Sequence, residues 1–341
     1  MKRFFLAFII LVTFIFSYAC GTKEKEGKYI SDKNNFQCEI EEINNINGGY
    51  VASDGEKIYM LDNAEGLIYY LDFEKMMMTI NCSDLMCIHK GSECSAKLPI
   101  SDYCDYSLRR NNGKVYALGE RIFEISDNKK DEISNKQYGY WGNQIVFGDY
   151  IAYFDEQDVV VVEEIETNTK VQRFEDITGF AQGNFYYKDC LYFITAELQL
   201  IQLDLITGEK TVLEEKGASR ASVYRDYIYY IKVSEETNTN YLIKMNPFTF
   251  EKEILLEGVF YYNMLGERIY YSTYPDKELW NSDIKGQDKK LIDKTQKFGW
   301  IWTFEQDKKI LIEGPEVYTF YVLEDNQELN YENLLKIETG E

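Results

Sequence analysis

The chain has 341 residues and carries 58 acidic against 37 basic side chains, a formal charge of −21 with its one histidine neutral. That balance argues against sequence-independent binding to nucleic acid, which needs Lys and Arg to neutralise phosphates, and against a polybasic membrane patch. A hydrophobic fraction of 45% is enough for a core, and 29 Tyr and 20 Phe beside four Pro favour strands over disordered linkers.

The first element in the chain is a targeting segment. Lys2 and Arg3 precede a 13-residue apolar run, Phe4–Phe16, of signal-peptide length and short for a membrane span. Ser17-Tyr18-Ala19-Cys20 follows. This resembles a bacterial lipoprotein signal, in which the cysteine becomes the lipidated N-terminus. The resemblance implies removal of residues 1–19, lipidation at Cys20, and an anchor on the extracellular face of the cell membrane. A secretory peptide cleaved without lipid is the alternative, because Ser17 stands where that signal usually has an aliphatic residue. Loss of Lys2 and Arg3 takes the charge to −23. Residues 20–35 are polar, lack periodicity and read as a tether.

From residue 36 onward one strand phrase recurs, a turn residue followed by an alternating apolar and aromatic run. It appears as Ile58-Tyr59-Met60-Leu61, Val115-Tyr116-Ala117-Leu118, Ile151-Ala152-Tyr153-Phe154 and Leu191-Tyr192-Phe193-Ile194. It returns as Ile228-Tyr229-Tyr230-Ile231, Ile269-Tyr270-Tyr271 and Ile310-Leu311-Ile312. Its first residues are separated by 57, 36, 40, 37, 41 and 41 positions. A strand phrase recurring about every 40 residues predicts a single all-β propeller over 36–341, of seven four-stranded blades, with six or eight also compatible. In blade one the strands are expected at Val51, Ile58–Leu61, Leu67–Asp72 and Met77–Ile80. In blade four they are expected at Phe185–Tyr187, Leu191–Ile194, Leu200–Asp204 and Lys210–Leu213, with Thr207-Gly208 as the last turn. Blade seven has Val317–Tyr321 and needs an outer strand. Residues 36–43 or Asn333–Ile337 could supply it.

The long 57-residue gap contains an insertion at about 81–106, with Cys82, Cys87, His89, Cys94 and Cys104. It connects an outer strand to the next inner strand, on the face where a propeller channel opens. Together with the repeats, its Cys-x4-Cys-x-His-x4-Cys stretch resembles exported propeller proteins of low-GC Gram-positive bacteria. These are DUF5050-like domains related to the YWTD-type propellers of lipoprotein receptors. The resemblance covers roughly residues 45–325 and implies a surface protein without naming a substrate.

Outside the membrane thiols tend to oxidise, so two disulfides among Cys82, Cys87, Cys94 and Cys104 are expected. The alternative is a metal held by Cys82, Cys87, His89 and Cys94, a soft donor set that structural zinc prefers. Cys38 could instead pair with an insertion cysteine, and Cys190 reads as a small buried hydrophobe.

A Ser-His-Asp or Cys-His site could form only around His89, and no nucleophile motif accompanies it. No phosphate-binding glycine loop and no EF-hand loop is present. Asp62–Gly66 is acidic but falls where a hairpin turn is needed, and the carboxylates Glu163 and Glu164 are adjacent, so they face opposite ways on a strand. The inner-strand regions hold Tyr138, Tyr140, Trp141, Tyr186, Tyr224, Tyr261, Trp300 and Trp302. Most are expected in blade packing. Tyr140, Trp141 and Trp300, with His89, are the candidates for ligand contact at the channel mouth, where flat rings suit sugars or peptide side chains. The expectation is a surface-anchored binding or interaction propeller with an unknown extracellular ligand and no cofactor. An extracellular enzyme acting on glycan or peptide through channel carboxylates is the alternative.

Overall fold

The run Cys190-Leu191-Tyr192-Phe193-Ile194 is apolar without a break because both faces of its strand are buried. Leu191 and Phe193 pack against the preceding blade, in a cluster with Phe147, Ala152 and Val162. Cys190, Tyr192 and Ile194 pack against the following one, with Val223, Ile228 and Tyr230. Alternate residues of a strand point to opposite faces, so each small sheet offers two apolar faces and needs a neighbour on each side.

A computed structural model shows how the chain meets that demand. It describes residues 49–72, 75–100, 105–134, 136, 138, 144–155, 159–174, 182–234, 236–304, 308–315, 319–324 and 335–339. Cys20, the tether, Cys38 and the candidate strand at 36–43 lie outside these residues.

Blade one comprises β1 (Val51–Ser53), β2 (Ile58–Asp62), β3 (Leu67–Asp72) and β4 (Met77–Ile80). Blade two comprises β5 (Ser107–Asn111), β6 (Lys114–Leu118), β7 (Ile122–Ser126) and β8 (Lys129–Ser134). Blade three has β9 (Ile145–Phe147), β10 (Tyr150–Phe154), β11 (Val160–Glu164) and β12 (Thr169–Phe174). Blade four has β13 (Gln182–Tyr187), β14 (Cys190–Ile194), β15 (Leu200–Asp204) and β16 (Lys210–Glu214). Blade five has β17 (Ala218–Tyr224), β18 (Tyr227–Ser234), β19 (Thr239–Met245) and β20 (Lys252–Glu257). Blade six has β21 (Val259–Leu265), β22 (Arg268–Thr273), β23 (Leu279–Asp283) and β24 (Lys290–Asp293). Blade seven has β25 (Ile301–Phe304), β26 (Lys309–Glu313), β27 (Phe320–Glu324) and β28 (Leu335–Thr339).

The seven blades are antiparallel four-stranded sheets, and blades one and seven are joined into one eight-stranded sheet. Seven apolar clusters fill the seven junctions, including one that joins Val51, Met60 and Met78 of blade one to Trp302, Phe304 and Leu311 of blade seven. The ring is therefore closed. The C-terminal candidate supplies the outer strand of blade seven: β28 pairs antiparallel with β27 and parallel with β4. In blade seven, β27 begins at Phe320 rather than at Val317, and Val317 and Tyr318 lie outside the described residues.

Polar side chains bind one blade to the next. Asn63 donates to Tyr106 O at 2.9 Å and accepts from Tyr106 N at 3.0 Å. Asn111 does the same with Gly148, at 2.8 and 3.0 Å. Asn263 donates to Ile301 O at 3.0 Å. The outer turns are built by carboxylates that accept backbone N–H groups. Asp204 Oδ1 takes Ile206 N at 2.7 Å and Thr207 N at 2.8 Å, and Gly208 follows at φ 74°. This is the Thr207-Gly208 turn expected from the sequence, and glycine carries its left-handed backbone without a Cβ clash.

A buried charge network locks blades four and five. Glu214, 8% exposed, accepts from Tyr230 Oη at 2.8 Å, Lys232 Nζ at 2.7 Å and Lys252 Nζ at 3.0 Å. Burial alone would raise its pKa, but the three donors outweigh that and hold the carboxyl below its usual range. A depressed carboxylate contributes stability that is present above its unfolded pKa and lost as pH falls through its folded pKa. Acidification below the ordinary glutamate range should therefore destabilise the protein more than it does Glu214→Gln. At neutral pH we expect that variant to lose about 1–2 kcal/mol, discounted because both lysines are partly in water. Urea denaturation of both proteins across acidic pH measures this.

Candidate functional site

In each antiparallel blade the start of the inner strand, the turn after the second strand and the end of the fourth strand lie on one face. That face brings together Tyr50, just before β1, the β2–β3 turn at Asn63-Ala64, Arg220 in β17, Phe260 and Tyr261 in β21, Trp300 before β25, and Glu313 at the end of β26.

These residues form an aromatic mouth. The Tyr261 and Trp300 rings lie 4.8 Å apart, and Trp300 stacks on Trp302 at 6.1 Å with 11° between planes. Tyr50 meets Trp300 edge-on at 6.3 Å. The guanidinium of Arg220 sits 4.0 Å from the Tyr261 centroid and 5.2 Å from that of Phe260, in cation–π range. Irregular pairing explains these positions. Register shifts between Ser219 and Ser222, and between Val259 and Tyr261, displace Arg220 and Phe260 from the regular ladder. Arg220 also adopts φ 51°, a left-handed backbone that costs a non-glycine residue energy.

Next to the aromatic rings a groove of about 370 Å³ opens between blades one and seven. Tyr50, Asp62, Asn63, Tyr69, Trp302 and Glu313 are among its lining residues. Glu313 accepts from Trp300 N at 3.2 Å. Burial raises its pKa, against the opposing pull of that hydrogen bond and of Lys277. Gly299 leaves room for this carboxylate, since a Cβ there would collide with Glu313 Oε2. Further round the ring, Arg109 in β5 is half-buried. Desolvation pulls it down to about 10.

Asp62–Gly66 is a turn, as expected: Glu65 N donates to Asp62 Oδ1 at 3.1 Å and Gly66 has φ 60°. Glu163 and Glu164 do point opposite ways. Glu163 is fully buried and held by Lys136 and Tyr153, whereas Glu164 accepts from Thr167.

The insertion has two parts. Its second half returns across blade one, where Leu98 N donates to Gly66 O and Ile68 N donates to Ala96 O, both at 2.8 Å. Its first half is a knuckle at the outer edge, starting from the end of β4. There the ligand atoms of Cys82, Cys87, His89 and Cys94 all lie within 4.8 Å of one another. His89 Nδ1 is 3.4 Å from Cys94 Sγ, and His89 N donates to Cys87 Sγ at 3.4 Å. The three cysteines are free thiols, and Cys104, the fourth partner expected for two bridges, lies outside the described residues. Burial pushes the Cys94 thiol up to about 11, aided by its neighbours Cys87 and Cys82. Cys190 is buried in the junction of blades four and five, as a small apolar residue would be.

Trp300 thus reaches the mouth, together with Tyr261. His89 belongs to the thiol knuckle and is not among the groove's lining residues. Tyr140 and Trp141 lie outside the described residues. Tyr138, Tyr186, Tyr224 and Trp302 are at most 3% exposed and pack in blade junctions. Arg220, Glu313 and Tyr50 were not apparent from the sequence. The one available signal for Arg220 was a charged residue inside the inner-strand run Ala218-Ser219-Arg220-Ala221.

No family model matches the chain, and neither does any curated protein. The DUF5050-like resemblance therefore rests on the motifs quoted above. Among solved structures, the extracellular domain of a B. thetaiotaomicron protein described as a one-component system is similar over 87% of this chain. The TM-score is 0.59 and the identity 12%. The match spans 43% of that longer chain. BamB from Moraxella catarrhalis matches 78% of this chain and 77% of its own, at 14% identity and a TM-score of 0.47. At such identities the likeness concerns the fold: this chain is a seven-bladed β-propeller.

Proposed function

We propose that the chain is a surface-anchored, non-enzymatic binding propeller that takes an extracellular ligand at the aromatic mouth. The observation that carries this reading is the Tyr50–Trp300–Tyr261 platform with Arg220 laid across one end. Flat rings pack against sugar faces and peptide side chains, and a guanidinium adds a charged anchor. The Cys20 lipid and the polar tether at 20–35 would hold the ring at the outer membrane surface.

Glu313 supports a second reading. A carboxyl with a raised pKa beside a groove is suited to general acid chemistry on a glycan or peptide. One experiment separates the two. The protein is applied to glycan and acidic-peptide arrays, and the hits are then incubated with it for product analysis. Binding that falls at least ten-fold in Trp300→Ala, with no product, is the expected result. Product formation abolished by Glu313→Gln would establish the enzyme instead.

A further inference from the structure

We propose that Cys82, Cys87, His89 and Cys94 hold one structural zinc ion, through three thiolates and Nδ1 of His89. At Zn–S distances of about 2.3 Å, tetrahedral sulfurs lie roughly 3.8 Å apart. The four donor atoms already lie within 4.8 Å of one another, so only a small contraction closes the site. The left-handed backbone at His89, φ 52°, accompanies the turn of its ring onto Cys94 rather than outward.

The distribution of apolar residues argues the same way. Leu85 is 98% exposed, Met86 88% and Ile88 76%, while Cys94 is buried. A segment whose large apolar side chains face water is not ordered by hydrophobic burial. Its order draws on what the converging cysteines share, beside the Lys130 and Ser95 hydrogen bonds to its backbone. A disulfide would use only two of the three converging thiols, whereas a tetrahedral ion uses all of them and the imidazole.

The surroundings suit the charge. Zinc with three thiolates carries a net charge of −1, and binding releases the three thiol protons. Lys130 of β8 donates to Ser92 O and Cys94 O, both at 3.1 Å, and to Lys97 O, placing an ammonium beside the cluster. Backbone N–H donation from His89 to Cys87 Sγ stabilises a thiolate in the same manner. Three soft thiolates with one imidazole select zinc over the hard cations.

The test uses the protein as its cells produce it, purified without chelator. Native mass spectrometry and elemental analysis should find one zinc per chain. Cys82, Cys87 and Cys94 should alkylate only after the zinc is removed by a strong chelator, while the circular dichroism of the propeller is retained. His89→Ala should lower zinc affinity at least ten-fold. Protein without metal whose insertion cysteines are joined as disulfides would overturn the proposal. So would one equivalent of a different metal in zinc-replete cells, or unchanged zinc affinity in His89→Ala.

Discussion

Truncation after residue 334 is expected to open the ring and cost about 3–6 kcal/mol, enough to abolish cooperative unfolding in a marginally stable protein. The strand removed is β28, which pairs Leu335, Lys336 and Ile337 with Val322, Tyr321 and Phe320. It also pairs Glu338 and Thr339 with Met77 and Met78 of blade one. Each ladder position contributes about 1 kcal/mol net. The loss is larger in effect than that sum suggests, because β28 is the strand that hydrogen-bonds blade seven to blade one. Without it, two sheet edges face water and can pair with other chains. Limited proteolysis and urea denaturation of the truncated and untruncated chains check this.

Trp302→Ala should cost about 3–5 kcal/mol, the range for deleting a large buried aromatic. Trp302 is 1% exposed and sits in the junction of blades seven and one, stacked on Trp300 and tilted against Phe320. The same ring lines the groove, so the substitution should also weaken ligand binding. Trp302→Phe separates the two effects. The indole Nε1 is buried with no acceptor among the described residues, so a phenyl ring forfeits no hydrogen bond there. It should retain most of the stability, losing under about 2 kcal/mol. Chemical denaturation of the three proteins gives the order: wild type, Trp302→Phe, Trp302→Ala.

The ring was legible in the chain because its strands are buried on both faces. A run such as Ile228–Ile231 has no polar side to confuse with a surface helix, and its return about every 40 residues sets the blade. What periodicity does not carry is a break in periodicity. Arg220 and Phe260 reach the mouth through register shifts, which displace residues from the faces that alternation assigns. Glu313 is drawn in by the backbone of Trp300 and the missing side chain at Gly299, a close approach with no sequence signature. In the insertion the spacing revealed the cysteines and the histidine. Their convergence depends on the turn at Asp84–Cys87 and on the left-handed His89, which only the folded chain displays. The ring's closure was undecided between two segments of similar pattern, and the pairing of β28 with both β27 and β4 decides it.

In the function proposed above, the mouth binds a ligand without consuming it. The most direct measurement is a calorimetric titration of an array-selected ligand into the wild type, Trp300→Ala and Arg220→Ala. One site per chain is expected, with affinity reduced at least ten-fold in both variants while each keeps a cooperative unfolding transition. Equal affinity in all three proteins, or steady heat from turnover in place of saturation, would contradict it.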